Sequence, residues 1–350
     1  MVGFFILRSQ PLHSSFTDDE ASSADHKVHV STVPRVGGVA IFAGWLTALA
    51  AGSYYKNLPF ETIATWAFCM LPVFMAGLAE DFTKRVSVSV RLLASFLTAA
   101  LAGVFLNAVI THVDVPGIDA LLAVPAIALI FTLVAVGGVA HAVNIIDGLN
   151  GLALSVCLMA FLALGYVAFI INDRDILVMC ALGTGALLGL LLWNYPSGQI
   201  FCGDGGAYFL GAYIAVLSVL LVARNHQISP WFPLLLVAYP VWETLFSAFR
   251  RKVLQGLPAS APDRFHLHTL MYERLASGLY ERDSVRRNSV ASTVMVMFAG
   301  VNAVPAMLWW NDTDKLFVAA MIFAAAYLAL YRWLAWSASK RKSRAKKDVS

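Results

Sequence analysis

"FCGDGGAYFLGAYIAVLSVLLVARN", Phe201 to Asn225, places one carboxylate, Asp204, among Gly203, Gly205 and Gly206, directly ahead of an uncharged run from Gly206 to Ala223. A helix needs roughly 20 mostly apolar residues to cross the hydrocarbon core of a bilayer, so this run is a candidate span. The chain repeats the pattern at Val36–Tyr55, Thr62–Ala79, Ser89–Asn107, Leu121–Ala140, Leu149–Ile171 and Ile176–Asn194, and again at Trp231–Phe249, Ser289–Trp310 and Lys315–Trp336. All should be helices, because an open sheet edge in lipid leaves backbone groups unpaired. Composition agrees: 59% hydrophobic residues, 13% charged and a mean hydropathy of +0.72 fall outside the range of soluble domains. The expected fold is all-α, a polytopic transmembrane helical bundle of about ten spans with its active-site loops at one face.

Orientation follows from the cations, since Lys and Arg are retained in cytoplasmic loops. Taking alternate connections as one side, 21 of the 25 Lys and Arg lie with the two termini, the exceptions being Lys56, Arg174, Arg224 and Lys315. Both ends are therefore placed in the cytoplasm. Residues 1–35 read as a polar cytoplasmic lead-in with a basic motif, 36–336 as the transmembrane catalytic domain with loops near 80–91, 141–148, 195–205 and 250–288, and 337–350 as a basic tail. "MVGFFIL" at the start is too short for a span, and no signal-peptide cleavage pattern follows it. Cys69, Cys157, Cys180 and Cys202 read as small apolar residues rather than as a disulfide framework. "KRKSRAKK", Lys340–Lys347, reads as a topological anchor touching anionic membrane lipids. No nucleic acid is expected as a partner.

Four cytoplasmic connections hold nearly every unusual polar residue. They are "AEDFTKR" (Ala79–Arg85), "HAVNIIDGLNGLAL" (His141–Leu154), "NYPSGQIFCGDGGAYFLG" (Asn194–Gly211) and "PDRFHLHTLMYERL" (Pro262–Leu275). Carboxylates bind Mg²⁺ through oxygen, usually one or two of them with substrate phosphates completing the shell. Lys, Arg and His offset remaining phosphate charge, and Gly-rich turns let backbone N–H groups approach it. Together these loops make a phosphoryl-transfer set at one membrane face. Each has a plainer reading alone: Glu80, Asp81, Lys84 and Arg85 as a charged helix end, Asp204 as a turn, His266 and His268 as solvated loop residues. The two histidines would face the same way only on an irregular backbone. Asn144 and Asp147 are harder to dismiss, since polar groups bordering a span are costly without partners.

The set resembles the polyprenyl-phosphate N-acetylhexosamine-1-phosphate transferases, glycosyltransferase family 4. The resemblance runs from "HKVHVSTVPRVGG" (His26–Gly38) through "AEDFTKRVSVSVRL", "NIIDGLNGLAL", "FCGDGGAYFLG" and "YPVWETLFSAFRR" to "PDRFHLH", in the family's order, and is nearer the bacterial surface-polysaccharide initiators than the peptidoglycan branch. It implies Asp204 and Asp81 as metal ligands for Mg²⁺, with Mn²⁺ as a substitute, and Glu80 and Asp81 as the family's acidic pair. It implies that Lys27, His29, Lys84, Asn144, Asp147, Asn150, Phe201 and Arg264 bind substrate, Phe201 by stacking on uracil, and that His266 and His268 stand in the catalytic loop. Three positions depart from the family pattern: Glu80 where Asp is common, Thr269 after His268, and Glu243 where Asp is frequent. The resemblance implies that the family's first helix is absent here or reduced to "MVGFFIL".

The reaction implied is transfer of a sugar-1-phosphate from a UDP-N-acetylhexosamine to undecaprenyl phosphate in the bacterial inner membrane, releasing UMP and initiating O-antigen or another surface polysaccharide. A phosphate monoester loses its second proton near pKa ~6, so Glu80 and Asp81 are read as organisers of metal and lipid phosphate, a base role for either remaining open. The alternative is a nucleotide-sugar or polyprenyl-lipid transporter. Transporters place polar sites at the bilayer midplane between repeated halves, whereas these acids cluster at span ends without an internal repeat. A homodimer is compatible with the apolar surface, which looks alike in composition whether it faces lipid or a subunit. The charge count makes a testable claim: cysteines at Ser87 and Ser197 should resist an impermeant thiol reagent in intact cells, and one at Asn172 should react.

Overall fold

The structure, a computed structural model, describes residues 1–8, 18–19, 33–56, 59–258, 263, 265–276 and 283–347. Residues 2–8 are helical (α1), and β1 (Asp18–Asp19) pairs antiparallel with β2 (Val33–Pro34). The helices that follow are α2 (Gly37–Lys56), α3 (Phe60–Thr83), α4 (Val88–Phe105), α5 (Pro116–Leu122), α6 (Pro125–Ile145), α7 (Leu152–Ile170), α8 (Arg174–Asn194) and α9 (Gly203–Arg224). After them come α10 (Trp231–Leu236), α11 (Ala238–Phe249), a π turn at Arg250–Leu254, α12 (Leu267–Ala276), α13 (Ser284–Gly300), α14 (Ala303–Leu308) and α15 (Thr313–Lys347).

Among the described residues, eight helical stretches are long and apolar enough to cross a membrane: α3, α4, α6, α7, α8, α9, α13 with α14, and Thr313–Ser337 of α15. The apolar part of α2 is shorter, Gly37–Gly52. The run expected as one span at Trp231–Phe249 is broken into α10 and α11. Pro240 supplies the reason, since it has no N–H for the carbonyl of Leu236 and its ring crowds that turn. Pro305 breaks the α13–α14 stretch in the same way. The protein is a multi-pass, all-helical membrane bundle.

Helix α9 is its axis. Buried residues make up 89% of its apolar stretch, against at most 61% in any other span. Packing between membrane helices gains little from water exclusion and depends on close backbone approach through small residues. A Cβ on Gly38 of α2 would lie 2.3 Å from the Gly206 nitrogen, and one on Gly77 of α3 would lie 2.6 Å from the Asp204 carbonyl oxygen. Side chains there would push α2 and α3 away from the first turn of α9. Below it, Phe42 stacks on Phe74 at 4.0 Å between ring centroids and Phe209 lies edge-on to Phe42 at 5.2 Å. Tyr213 adds a hydrogen bond from its hydroxyl to the Met179 carbonyl, 2.8 Å.

The N-terminal N–H groups of a helix have no partners within it. In α2 they donate to the chain just before α9, Gly37 to the Phe201 carbonyl (3.0 Å) and Gly38 to that of Cys202 (2.8 Å), while Phe201 N–H donates to Pro34 (2.9 Å). Two helix starts are thereby fixed at one end of the bundle. All four cysteines are buried and free, as expected. Gly77→Val should lower the thermal midpoint in detergent markedly, since overpacking a core site costs ~1–3 kcal/mol or more, whereas Gly117→Val, at a position with no neighbour within 4 Å, should shift it little.

Candidate active site

The last turn of α3 meets the first turn of α9 through Asp81. Its Oδ1 accepts the Asp204 N–H at 2.8 Å and its Oδ2 the Gly205 N–H at 2.9 Å. This is an N-cap supplied by a neighbouring helix, since the residue at α9's own N-cap position, Cys202, makes no side-chain capping bond. The cap fixes the backbone of Asp204, a residue only 6% exposed. Asp204 Oδ1 accepts a hydrogen bond from Asn144 Nδ2 of α6 at 3.1 Å and lies 3.6 Å from Arg35 Nη2. Its Oδ2 accepts from Arg91 Nη1 of α4. Four segments thus converge on one buried carboxylate.

Glu80 has a different task. Its Oε2 accepts the Val86 N–H at 2.7 Å, and its carbonyl accepts the N–H of Lys84, which caps α3 in a left-handed conformation with φ 54°. The carboxylate therefore shapes the α3–α4 turn, and the Lys84 side chain is exposed. Asp147, half-buried in the α6–α7 loop, faces Arg35, Asp204 and the Gly203 N–H. Burial pushes its carboxyl up to about 7, although Arg35 and the Gly203 N–H favour the charged form.

Asn150 is drawn elsewhere. Its N–H donates to Asn288 Oδ1 (2.8 Å) and its side-chain amide to the Pro196 carbonyl (3.0 Å), tying two loops to α13. Phe201 is partly buried beside the α2 start, its N–H and carbonyl engaged by Pro34 and Gly37. Lys27, His29 and Arg264 lie outside the described residues.

His266 and His268 form a second cluster. Their rings are stacked, 5.4 Å apart between centroids and 4° from parallel, His266 preceding α12 and His268 sitting in its first turn. The backbone is irregular there, as a shared direction requires. His266 Nδ1 lies 2.9 Å from Oε1 of Glu243, a fully buried residue of α11 whose oxygens also accept the Leu267 N–H at 3.1 Å each. Arg250 pairs with Asp263 and donates to the Phe265 carbonyl at 3.0 Å, which pins the same loop. His268 is buried, and burial holds its imidazole down at about 4, so it is neutral at pH 7. A Cβ on Gly148 would sit 2.6 Å from His268 Nε2. The end of α6 and the loop after it are thus common to both clusters, with Asn144 and Asp147 on Asp204 and Gly148 against His268.

Arg35 and Arg91 were given no role in the sequence reading, although both lie inside its motifs. A detectable signal existed at Arg91, a charge in the first turn of an apolar helix, which is costly unless partnered. Glu243, noted only as a departure, proves to hold His266. Among the described residues no group of three or more His, Cys, Asp or Glu gathers as a protein-only metal cage. The oxygen donors of Asp204 and Asp147 instead suit a hard cation completed by substrate phosphates. Both oxygens of Asp81 already accept α9 N–H groups.

Residues 63–222 match the model of Glycosyl transferase family 4. The "Probable undecaprenyl-phosphate N-acetylglucosaminyl 1-phosphate transferase" of Bacillus subtilis is 30% identical over 75% of this chain and 71% of its own length. The "Undecaprenyl-phosphate alpha-N-acetylglucosaminyl 1-phosphate transferase" of Thermotoga maritima is 27% identical over 79% and 80%. A "Phospho-N-acetylmuramoyl-pentapeptide-transferase" of Lacticaseibacillus paracasei is 31% identical over 55% of this chain and 62% of its own length. Asp81→Ala should leave two buried N–H groups without an acceptor, at about 1–3 kcal/mol each. Its thermal midpoint should fall well below that of Asp81→Asn, which keeps one acceptor oxygen.

Proposed function

This chain belongs to glycosyl transferase family 4, among the polyprenyl-phosphate hexosamine-1-phosphate transferases, and we propose that it transfers an N-acetylhexosamine-1-phosphate from a UDP-sugar to undecaprenyl phosphate. N-acetylglucosamine is the sugar in the names of the Bacillus and Thermotoga relatives and is the first donor to test. The observation that carries the reading is Asp204, a buried carboxylate held at a helix start by Asp81 and met by Asn144, Arg91 and Arg35. Such a centre handles phosphate charge at a membrane face.

A phosphate oxygen of the lipid attacks the β-phosphorus of the donor. The bond from that phosphorus to the bridging oxygen breaks, and UMP leaves. The lipid phosphate is largely ionised at pH 7, its second pKa being near ~6, so no side chain needs to remove a proton. Glu80 and Asp81 accept main-chain N–H groups, which suits a positioning role rather than that of a base. Mg²⁺, with Mn²⁺ as substitute, would be held by Asp204 with Asp81 or Asp147 as second carboxylate, and would offset charge on the donor diphosphate. Arg35 and Arg91 supply positive charge beside the same carboxylate. Phe201 offers its ring to uracil, excluding water from both flat faces. His266, neutral His268 and Arg264 would serve the sugar side.

The cation asymmetry favours this site facing the cytoplasm, where UDP-sugars are made, and the bacterial relatives favour an inner-membrane enzyme. The product would start O-antigen or another surface polysaccharide. The test is purified protein in nanodiscs with undecaprenyl phosphate, Mg²⁺ and a panel of UDP-sugars, reading UMP release. At least one donor should be consumed, chelation of divalent cations should stop it, and Asp204→Asn should lower turnover by roughly 10²–10³-fold or more even at high Mg²⁺. Turnover of Asp204→Asn at the wild-type rate would sink the assignment.

A further inference from the structure

Both carboxylates expected to organise the lipid phosphate accept main-chain N–H groups, Glu80 from Val86 and Asp81 from Asp204 and Gly205. A phosphate needs donors, and donors gather one helical turn further into the bundle. Tyr208 follows Asp204 by one turn on α9, His141 precedes Asn144 by one turn on α6, and Arg91 lies in the first turn of α4. At 1.5 Å per residue these positions on α6 and α9 are about 4.5–6 Å deeper than the carboxylate site. The His141 ring stands edge-on to Tyr208 at 4.7 Å, with Nδ1 3.4 Å from the Tyr208 hydroxyl. The Arg91 guanidinium carbon lies 5.7 Å from the centre of the Tyr208 ring, and the Arg91 main chain hydrogen-bonds the imidazole.

Arg91 Nε in this layer is buried and makes no hydrogen bond, and His141 Nε2 is buried without a side-chain partner. A buried unpaired polar group costs about 1–3 kcal/mol, and such groups inside a membrane protein mark ligand paths. Arg91 places Nη1 on Asp204 and leaves its Nε free. One guanidinium can therefore hold Asp204 and a second anion together.

The depth decides which anion. A nucleotide diphosphate arrives from water at the loops, whereas this layer lies beside the outward face of α4, where Val90 and Leu93 are 51% and 64% exposed. Resting on the transfer reading above, we propose that Arg91, His141 and Tyr208 bind the phosphate monoester head of the polyprenyl acceptor, which enters laterally from the lipid along α4. Arg91 then sets the acceptor phosphate beside Asp204.

The test measures binding without any donor, by fluorescence titration in nanodiscs with undecaprenyl phosphate and with undecaprenol. Wild type should prefer the phosphate by about tenfold or more, as charge-assisted hydrogen bonds imply. Tyr208→Phe and His141→Ala should each weaken the phosphate lipid by about three- to tenfold, the worth of one hydrogen bond, with the alcohol unaffected. Arg91→Lys, which keeps charge but lacks Nε, should weaken it too. His141→Gln retains a side-chain donor and should recover part of the loss, which separates binding from misfolding. In turnover, Tyr208→Phe should raise the KM for the lipid and leave that for the UDP-sugar within about twofold. Equal affinity of wild type for phosphate and alcohol, displacement by equimolar inorganic phosphate, or a rise in donor KM alone would overturn the proposal. If no UDP-sugar is consumed while this lipid profile holds, the transfer reading falls and the subsite stands.

Discussion

Everything at the working end of this protein depends on one carboxylate bonded to another helix's backbone. Asp81 accepts the N–H groups of Asp204 and Gly205, so α3 cannot shift without moving the start of α9. The helix start carries a partial positive charge from its unpaired N–H groups, and a capping carboxylate compensates it. Asp204 can then sit buried in the same turn with Arg91, Arg35 and Asn144 as its own partners. Remove the cap, and the buried N–H groups and the placement of Asp204 fail together.

The bundle around this contact is built to permit it. In lipid, helices gain no hydrophobic advantage from pairing, so close approach has to come from small side chains. Gly38 and Gly77 bring α2 and α3 against the first turn of α9 within distances that a Cβ would close. Carbonyls at Phe201 and Cys202 accept the first N–H groups of α2. The charged side chains around Asp204 lie where several backbones already meet, which is where the membrane penalty for charge can be offset by partners.

The site has two halves with one hinge of sequence between them. Asp204 and its cations form the first, His266 and His268 on Glu243 the second, and the end of α6 with the loop after it touches both through Asn144, Asp147 and Gly148. Cations surround Asp204, whereas a buried carboxylate holds His266 and burial keeps His268 neutral.

What the sequence determined was the membrane setting and the residues of interest. A span is a local property, roughly 20 apolar residues in one stretch, and Gly206–Ala223 declares it without reference to anything else. The loops likewise announce Asp204, Asn144, Asp147, His266 and His268, since polar residues at span ends are rare enough to read. Partnership was not legible, because it joins positions far apart in the chain: 123 residues separate Asp81 from Asp204, and 113 separate Arg91 from it. Nothing local distinguishes Glu80, which shapes a turn, from Asp81, which caps a helix, or tells that Asn150 would bind Pro196 and the α13 residue Asn288 rather than the carboxylate site. Side-chain roles depend on which backbone N–H groups lie within hydrogen-bond reach, and only the packing of α3, α4, α6 and α9 decides that.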